Sequence, residues 1–242
     1  MIDQKLLSEC QQLASVVAPE LQSAPLYIHD SSTFAHLPQP GGCLLGWALP
    51  GNMLTDYNIR AAIGDDWQGP GNVIALFSDE IRDAAVNDAS FRGCVLNVCL
   101  HEIAHLLPVQ EVAASDDAER FDCPEVREYQ LAKWVEGNAT PDPHPNAAEN
   151  VHNAKFIRRT VHLLSRSLLA GWSVPSFNLF GGDVWFSCQP AHYLVTLLSE
   201  LIEMRDKPFC EIESSEAPAA FIEQWEASVA FYETFQTPRK TK

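Results

Sequence analysis

Apolar residues recur at helical spacing at the start of the chain. Between residues 3 and 18 the positions Leu6, Leu13 and Val17 fall on one face, and Pro19 ends the pattern. This spacing predicts a first amphipathic helix. Between about residues 25 and 77 the pattern changes to short apolar runs, "PLYIHD", "GGCLLGWALPGN" and "VIALF", with turn residues between them. Such runs are typical of strands joined by loops.

Helical patterns dominate the rest of the chain. Ser78 is a suitable N-cap for a short helix, and "FRGCVLNVCLHEIAHLL" predicts a longer helix that Pro108 stops. Further helices are predicted in "AAENVHNAKFIRRTVHLLSRSLLAG", which closes at Gly171, in "QPAHYLVTLLSELIEMRD" and in "APAAFIEQWEASVAFYETF". The segment at about 109–146 is acidic, rich in Pro and Asp, and contains one predicted helix, "PEVREYQLAKWVEG".

These elements predict a single α+β domain over residues 1–242, with a small sheet in the first third and helices elsewhere. The chain shows no internal repeat, no low-complexity tract and no linker. We interpret the acidic segment at about 109–146 as a helical excursion from this domain. A mobile excursion between two functional helices could cover a cleft and hold activity latent.

Composition and charge narrow the classes of partner. The chain has 242 residues, 46% of them hydrophobic, which suits a packed globular core. Its formal net charge of −16 would repel phosphate backbones and anionic membranes. No stretch approaches the roughly 20 apolar residues of a membrane span, and polar residues interrupt the start where a signal peptide needs an apolar block. We therefore expect a soluble, cytoplasmic protein with no nucleic-acid or membrane partner. The oligomeric state is left open.

The seven cysteines form no C-x-x-C pair, so neither a thiolate zinc site nor a redox centre is indicated. We expect most of them to be small buried hydrophobes in a reducing compartment. Cys94 and Cys99 lie on the long helix with the two histidines described next. Their spacing of five places them on different helical faces, which argues against a role as metal ligands.

The sequence His101-Glu102-Ile103-Ala104-His105 matches the H-E-x-x-H pattern on a helix. A separation of four residues turns about 400° in a helix, so both imidazoles project from the same face and can reach one metal ion. Glu102 follows the first ligand, where its carboxylate can hold a zinc-activated water and take its proton. The alternative is a pair of core histidines satisfied by backbone carbonyls.

A catalytic zinc needs three protein ligands and one open position. Glu111 would follow from a metzincin reading, but Pro108 stands where that pattern has glycine. His144, in "DPHPN", is more simply an exposed loop residue. Glu149 could supply a carboxylate from a later helix. His152 is the preferred third ligand, because it lies early on an amphipathic helix whose packed face could hold the imidazole against the H-E-x-x-H helix.

At this point the sequence resembles the SprT-like and WLM zinc metallopeptidases. An H-E-x-x-H helix followed by "HNAKF", which fits H-[GN]-x-x-F, carries the resemblance over roughly residues 70–165. The resemblance implies a minimal gluzincin, zincin-like fold, with a small mixed sheet packed on the active-site helix and additional helices toward the carboxyl terminus. It also implies that His152 is the third zinc ligand. "GNVIALFSDEIRD" resembles the family's edge strand and short helix, and that strand aligns substrate backbone.

The resulting hypothesis is a zinc-dependent peptidase that acts on a protein or peptide substrate. His101, His105 and His152 bind Zn²⁺, and Glu102 is the catalytic base. The alternative is a non-catalytic zinc-binding regulatory or scaffold protein of zincin fold, in which the metal only holds two helices together. The intact Glu102 and the lack of a fourth ligand favour the enzyme.

Other polar residues receive structural interpretations. His162 is off the face of His152 and is interpreted as a packing or surface residue. Arg158 and Arg159 suggest a solvated or acid-paired patch, although Arg159 could contact a carboxylate of the site. His192 or Tyr193 could donate a hydrogen bond to a tetrahedral oxyanion, but packing roles are favoured because nothing in the sequence places them near the zinc.

Overall fold

The computed structural model describes residues 1–35, 45–49, 57–107, 154–176 and 190–236. The described strands are β1 (Leu26–Asp30), β2 (Gly46–Leu49) and β3 (Asn72–Leu76). The described helices are α1 (Gln4–Val17), α2 (Tyr57–Ile63), α3 (Ser78–Ala84), α4 (Asp88–Leu106), α5 (Ala154–Leu169), α6 (Pro190–Thr196), α7 (Leu198–Glu203), α8 (Phe209–Ser214) and α9 (Ala219–Gln236). This composition confirms the predicted α+β class. The predicted excursion at about 109–146 lies outside the described residues.

The described strands form one small mixed sheet in the order β1-β3-β2. β1 runs parallel to β3, whereas β2 runs antiparallel to it, so that Ile28 and Ala48 both lie opposite Ile74. Each strand comes from one of the three apolar runs quoted above. β3 is the middle strand, and the prediction that "GNVIALF" forms an edge strand is therefore wrong. All five of its residues are buried, because a strand apolar on both faces requires cover on both sides of the sheet.

Two apolar layers cover the sheet. Ile74 and its neighbours on one face join the large core that contains residues of α1, α4 and α5. Val73 and Ala75 point to the other face and pack with Trp47 and Phe34. This alternation follows from the twofold side-chain period of a strand, and it places α4 directly against the sheet.

α4 is the central helix of the larger core. Its start is fixed by a capping box: the Asn87 side chain accepts a hydrogen bond from the Ser90 amide, and Ser90 Oγ accepts one from the Asn87 amide. The helix thus begins three residues before the start predicted at Phe91. It ends at Leu106, before Pro108, as the pattern predicts. Most residues along α4 are buried, since helices and sheet surround it.

Several helix predictions agree with the structure, with shifted boundaries. α1, α5 and α9 lie where the helical spacing predicts them, and α5 is followed by Gly171 at φ +84°. α3 contains Ser78 as its first residue, and Phe77 occupies the N-cap position that Ser78 was expected to take. The helix predicted in "QPAHYLVTLLSELIEMRD" is divided into α6 and α7. In the described part of the chain, no helix is both long and apolar enough to cross a bilayer.

Candidate metal centre

Two imidazoles meet at the carboxyl-terminal end of α4. His101 and His105 lie one turn apart, with their Nε2 atoms separated by 3.1 Å and their ring centroids by 4.8 Å. Both residues are half-buried. Two nitrogens bound to one tetrahedral zinc at 2.0–2.1 Å would be about 3.3 Å apart. The pair therefore fits two corners of a zinc site.

Phe156 of α5 covers one side of the histidine pair. Its ring centroid lies 5.0 Å from that of His101 and 4.6 Å from that of His105, and its side chain is buried. The contact holds both imidazoles against an apolar surface and restricts their rotation. These contacts place the described start of α5 beside the pair, and Phe156 is also the last residue of the sequence pattern that begins at His152. His152 itself, the predicted third ligand, lies outside the described residues.

The alternative third ligands Glu111, His144 and Glu149 also lie outside the described residues. Among the residues that are described, no group of three or more His, Cys, Asp or Glu side chains could hold a metal ion. The described part of the chain thus offers two converging ligands. A third protein ligand would have to come from beyond these ranges.

Glu102 follows the first histidine of the pair, and its side chain approaches Gly46 of β2. It is 5% exposed. Burial raises the pKa of Glu102 to about 8, because desolvation disfavours the carboxylate form. A cation close to this carboxyl group would favour the charged form and would lower its pKa.

Strand β2 approaches Glu102 closely through Gly46. A Cβ atom at Gly46 would lie 2.8 Å from Val98 Cγ1 and 3.0 Å from Glu102 Oε1. Only a residue without a side chain fits between β2 and α4 at this point. Sequence reasoning missed this position, since nothing in the pattern shows which glycine of the first third meets α4.

We predict that Gly46→Ala displaces the Glu102 carboxylate and lowers the free energy of unfolding by about 1–3 kcal/mol, as expected for overpacking. Urea unfolding measures the loss. The control is the double variant with Val98→Ala. It removes the 2.8 Å contact but leaves the new methyl group against Glu102, so the displacement of the Glu102 carboxylate should persist in it. An unfolding free energy equal to that of the unchanged protein in Gly46→Ala would contradict the predicted contact.

The described cysteines near the site behave as buried hydrophobes. Cys10, Cys94 and Cys99 are buried free thiols. A hydrogen bond with Cys10, together with burial, raises the pKa of the Cys99 thiol well above its ordinary value. Zinc is bound by thiolates, so a thiol held in the protonated form is a poor ligand.

Two of the remaining candidates from the sequence, His162 and Tyr193, lie in the packing between helices. His162 is buried, and its Nε2 atom is 2.5 Å from Oε1 of Glu200 on α7. The Tyr193 side chain is fully buried on α6, with its hydroxyl 3.1 Å from Ser228 Oγ on α9. His192 is exposed on α6. The contacts of His162 with Glu200 and of Tyr193 with Ser228 join helices, as expected for packing residues, whereas the exposed position of His192 does not show the packing role expected for it.

The two consecutive arginines of α5 are buried and acid-paired. Arg158 donates from Nε to Glu200 Oε1 at 2.8 Å and from Nη1 and Nη2 to the carbonyl and hydroxyl of Ser215. Arg159 pairs with Glu213 of α8 and also reaches the backbone of α4. Among the described residues, Arg159 thus contacts a carboxylate of α8. Sequence reasoning missed Glu200 and Glu213 because no sequence signal pairs residues so far apart.

Comparison of the chain with protein-family models, curated proteins and solved structures finds no match. The function must therefore be argued from the chemistry of the site.

Proposed function

We propose that this protein is a zinc-dependent metallopeptidase of zincin fold. The observation that carries the proposal is the 3.1 Å approach of two Nε2 atoms on one face of α4, in the same helical turn as the buried residue Glu102. A small mixed sheet packed against this helix supports the proposed fold. His152 is proposed as the third ligand, on the basis of its sequence pattern with Phe156.

Each part of the site has a role in peptide hydrolysis. When bound, zinc would act as a Lewis acid toward the scissile carbonyl and would acidify a water. Glu102 would accept the proton of the attacking water at a carboxylate oxygen and donate it to the leaving amine. Phe156 would exclude water from one side of the imidazoles and keep their Nε2 atoms convergent.

β2 is the proposed docking strand for substrate. Within the described residues β2 pairs with β3 on one side only, and its Gly46 lies beside Glu102. An extended peptide that added to the other edge of β2 would run past the carboxyl group that handles the proton. This assignment replaces the strand proposed from the sequence, since both edges of β3 are occupied by β1 and β2.

Metal analysis of the purified protein tests the zinc site. We expect one zinc per chain, and we expect His101→Ala, His105→Ala and His152→Ala each to lose it, because two ligands cannot replace three. His192→Ala is the control, since this histidine is exposed on α6 and should keep the metal. If His152→Ala retained full zinc, Glu149→Gln and Glu111→Gln would identify the third ligand. Full zinc in His101→Ala would contradict the proposal.

A further inference from the structure

The carbonyl group of Ala104 lies in the last turn of α4 and has lost its usual helical partner. In an α-helix the carbonyl of residue 104 accepts from the amide of residue 108. Residue 108 is proline, which has no N–H to donate. The Leu107 amide is used elsewhere, since it donates to the carbonyl of Ile103 at 3.3 Å. Ala104 is fully buried, so an unpaired carbonyl here would be costly.

Arg159 supplies the missing donor. Its Nη1 atom donates to the Ala104 carbonyl at 2.5 Å. The same guanidinium donates from Nε to Glu213 Oε1 at 2.5 Å and forms an ion pair with that carboxylate. Arg159 is only 5% exposed. One buried, charged side chain on α5 therefore joins the end of α4 to α8.

The bonded carbonyl belongs to the peptide unit that carries the backbone nitrogen of His105. A peptide unit is planar, so a hydrogen bond that fixes its oxygen also fixes the backbone nitrogen of His105. The direction in which the His105 side chain projects from the helix is thereby fixed as well. We infer that Arg159 is a positioning residue for His105, and that Glu213 orients Arg159 for this role. The metal-binding consequence rests on the proposed zinc site, whereas the geometric one does not.

Zinc affinity of the full chain, measured by competition with a chromophoric chelator, tests the inference. We expect Arg159→Met to raise the zinc Kd by about 10- to 100-fold, the usual effect of removing a group that orients a ligand. Arg159→Lys should recover at least part of the loss, because its ammonium can still donate to the carbonyl. Arg158→Met is the matched control: it removes the adjacent buried guanidinium, whose hydrogen bonds go to Glu200 and Ser215. Its zinc Kd should stay within about twofold of the unchanged protein.

A second readout uses the metal-free protein. Imidazole NMR signals of His105 should shift or broaden in Arg159→Met and stay unchanged in Arg158→Met, with exposed His192 as internal reference. If the unchanged protein bound no zinc, the proposed function would fail, and these signals would still decide the role of Arg159. Unchanged zinc Kd and unchanged His105 signals in Arg159→Met would overturn the inference, as would equal weakening by both methionine variants. Should Arg159→Met not fold, Glu213→Ala is expected to shift the same signals in the same direction, and no shift would overturn it.

Discussion

Glu102→Gln is expected to keep one zinc per chain and to reduce peptidase activity by about 10²- to 10⁴-fold, the usual contribution of a general base. Glutamine has nearly the same shape as glutamate and fits the same space beside Gly46, so the histidine pair should stay in place. Its amide cannot accept the proton of an attacking water. The measurement is hydrolysis of fluorescently labelled casein, together with metal analysis of the same samples.

Glu80→Gln is the control for this substitution, because Glu80 is exposed on α3 and contributes the same change of charge. Near-normal hydrolysis by Glu102→Gln would contradict the role of Glu102 as base. A different result would be that the unchanged protein and Glu102→Gln both bind zinc and both fail to hydrolyse casein or peptide libraries. That result would favour the alternative, a zinc-binding regulatory or scaffold protein.

Glu200→Ala is expected to lower the free energy of unfolding by about 3–5 kcal/mol at neutral pH. The carboxylate of Glu200 accepts the Nε hydrogen of Arg158 at 2.8 Å, and its Oε1 atom lies 2.5 Å from His162 Nε2. The three side chains are buried. The substitution leaves the Arg158 guanidinium in an apolar interior without its carboxylate partner. Urea unfolding measures the loss, and Glu203→Ala on the same helix α7, an exposed position, should change stability by less than about 0.5 kcal/mol.

The same carboxylate gives a stability change that depends on pH. Burial alone would raise the pKa of Glu200, but hydrogen bonds from His162 and Arg158, together with their charges, hold that pKa below its ordinary value of 4.5. A lowered pKa contributes stability above the pKa of the unfolded chain, and this stability is lost as the pH falls through the folded-state value. Below about pH 4.5 the unchanged protein should therefore approach the stability of Glu200→Ala. Parallel stability curves for the two proteins through this acid range would contradict the predicted pKa.

The spacing of apolar residues predicted the helices that have one apolar and one polar face. α1 and α5 each carry an apolar stripe, and a helix period of 3.6 residues was enough to place His101 and His105 on one face. The position of β3 could not be predicted, because "VIALF" shows that both faces are buried without showing which strands lie beside it. The short helix α8 was missed, since six residues are too few to display a helical period.

The candidate site was predictable only to the extent that it is local. The His101, Glu102 and His105 pattern lies within five residues, so helix geometry alone relates its side chains. The contact of Arg159 with Glu213 spans 54 residues, and the approach of Gly46 to Glu102 joins a strand to a helix. Both depend on tertiary packing that one sequence does not reveal. His152 stays a prediction.

The two arginines of α5 also bear on how the chain could be divided. A fragment ending before Phe209 would lack Glu213 and Ser215. Arg159 would then lose its carboxylate partner, and Arg158 would lose the two Ser215 oxygens that accept its hydrogen bonds, although both guanidinium groups lie in a nonpolar interior. Truncation at that point should produce an insoluble polypeptide even though the H-E-x-x-H helix would be intact. For this protein the smallest working unit of the proposed peptidase therefore extends well past its metal-binding motif.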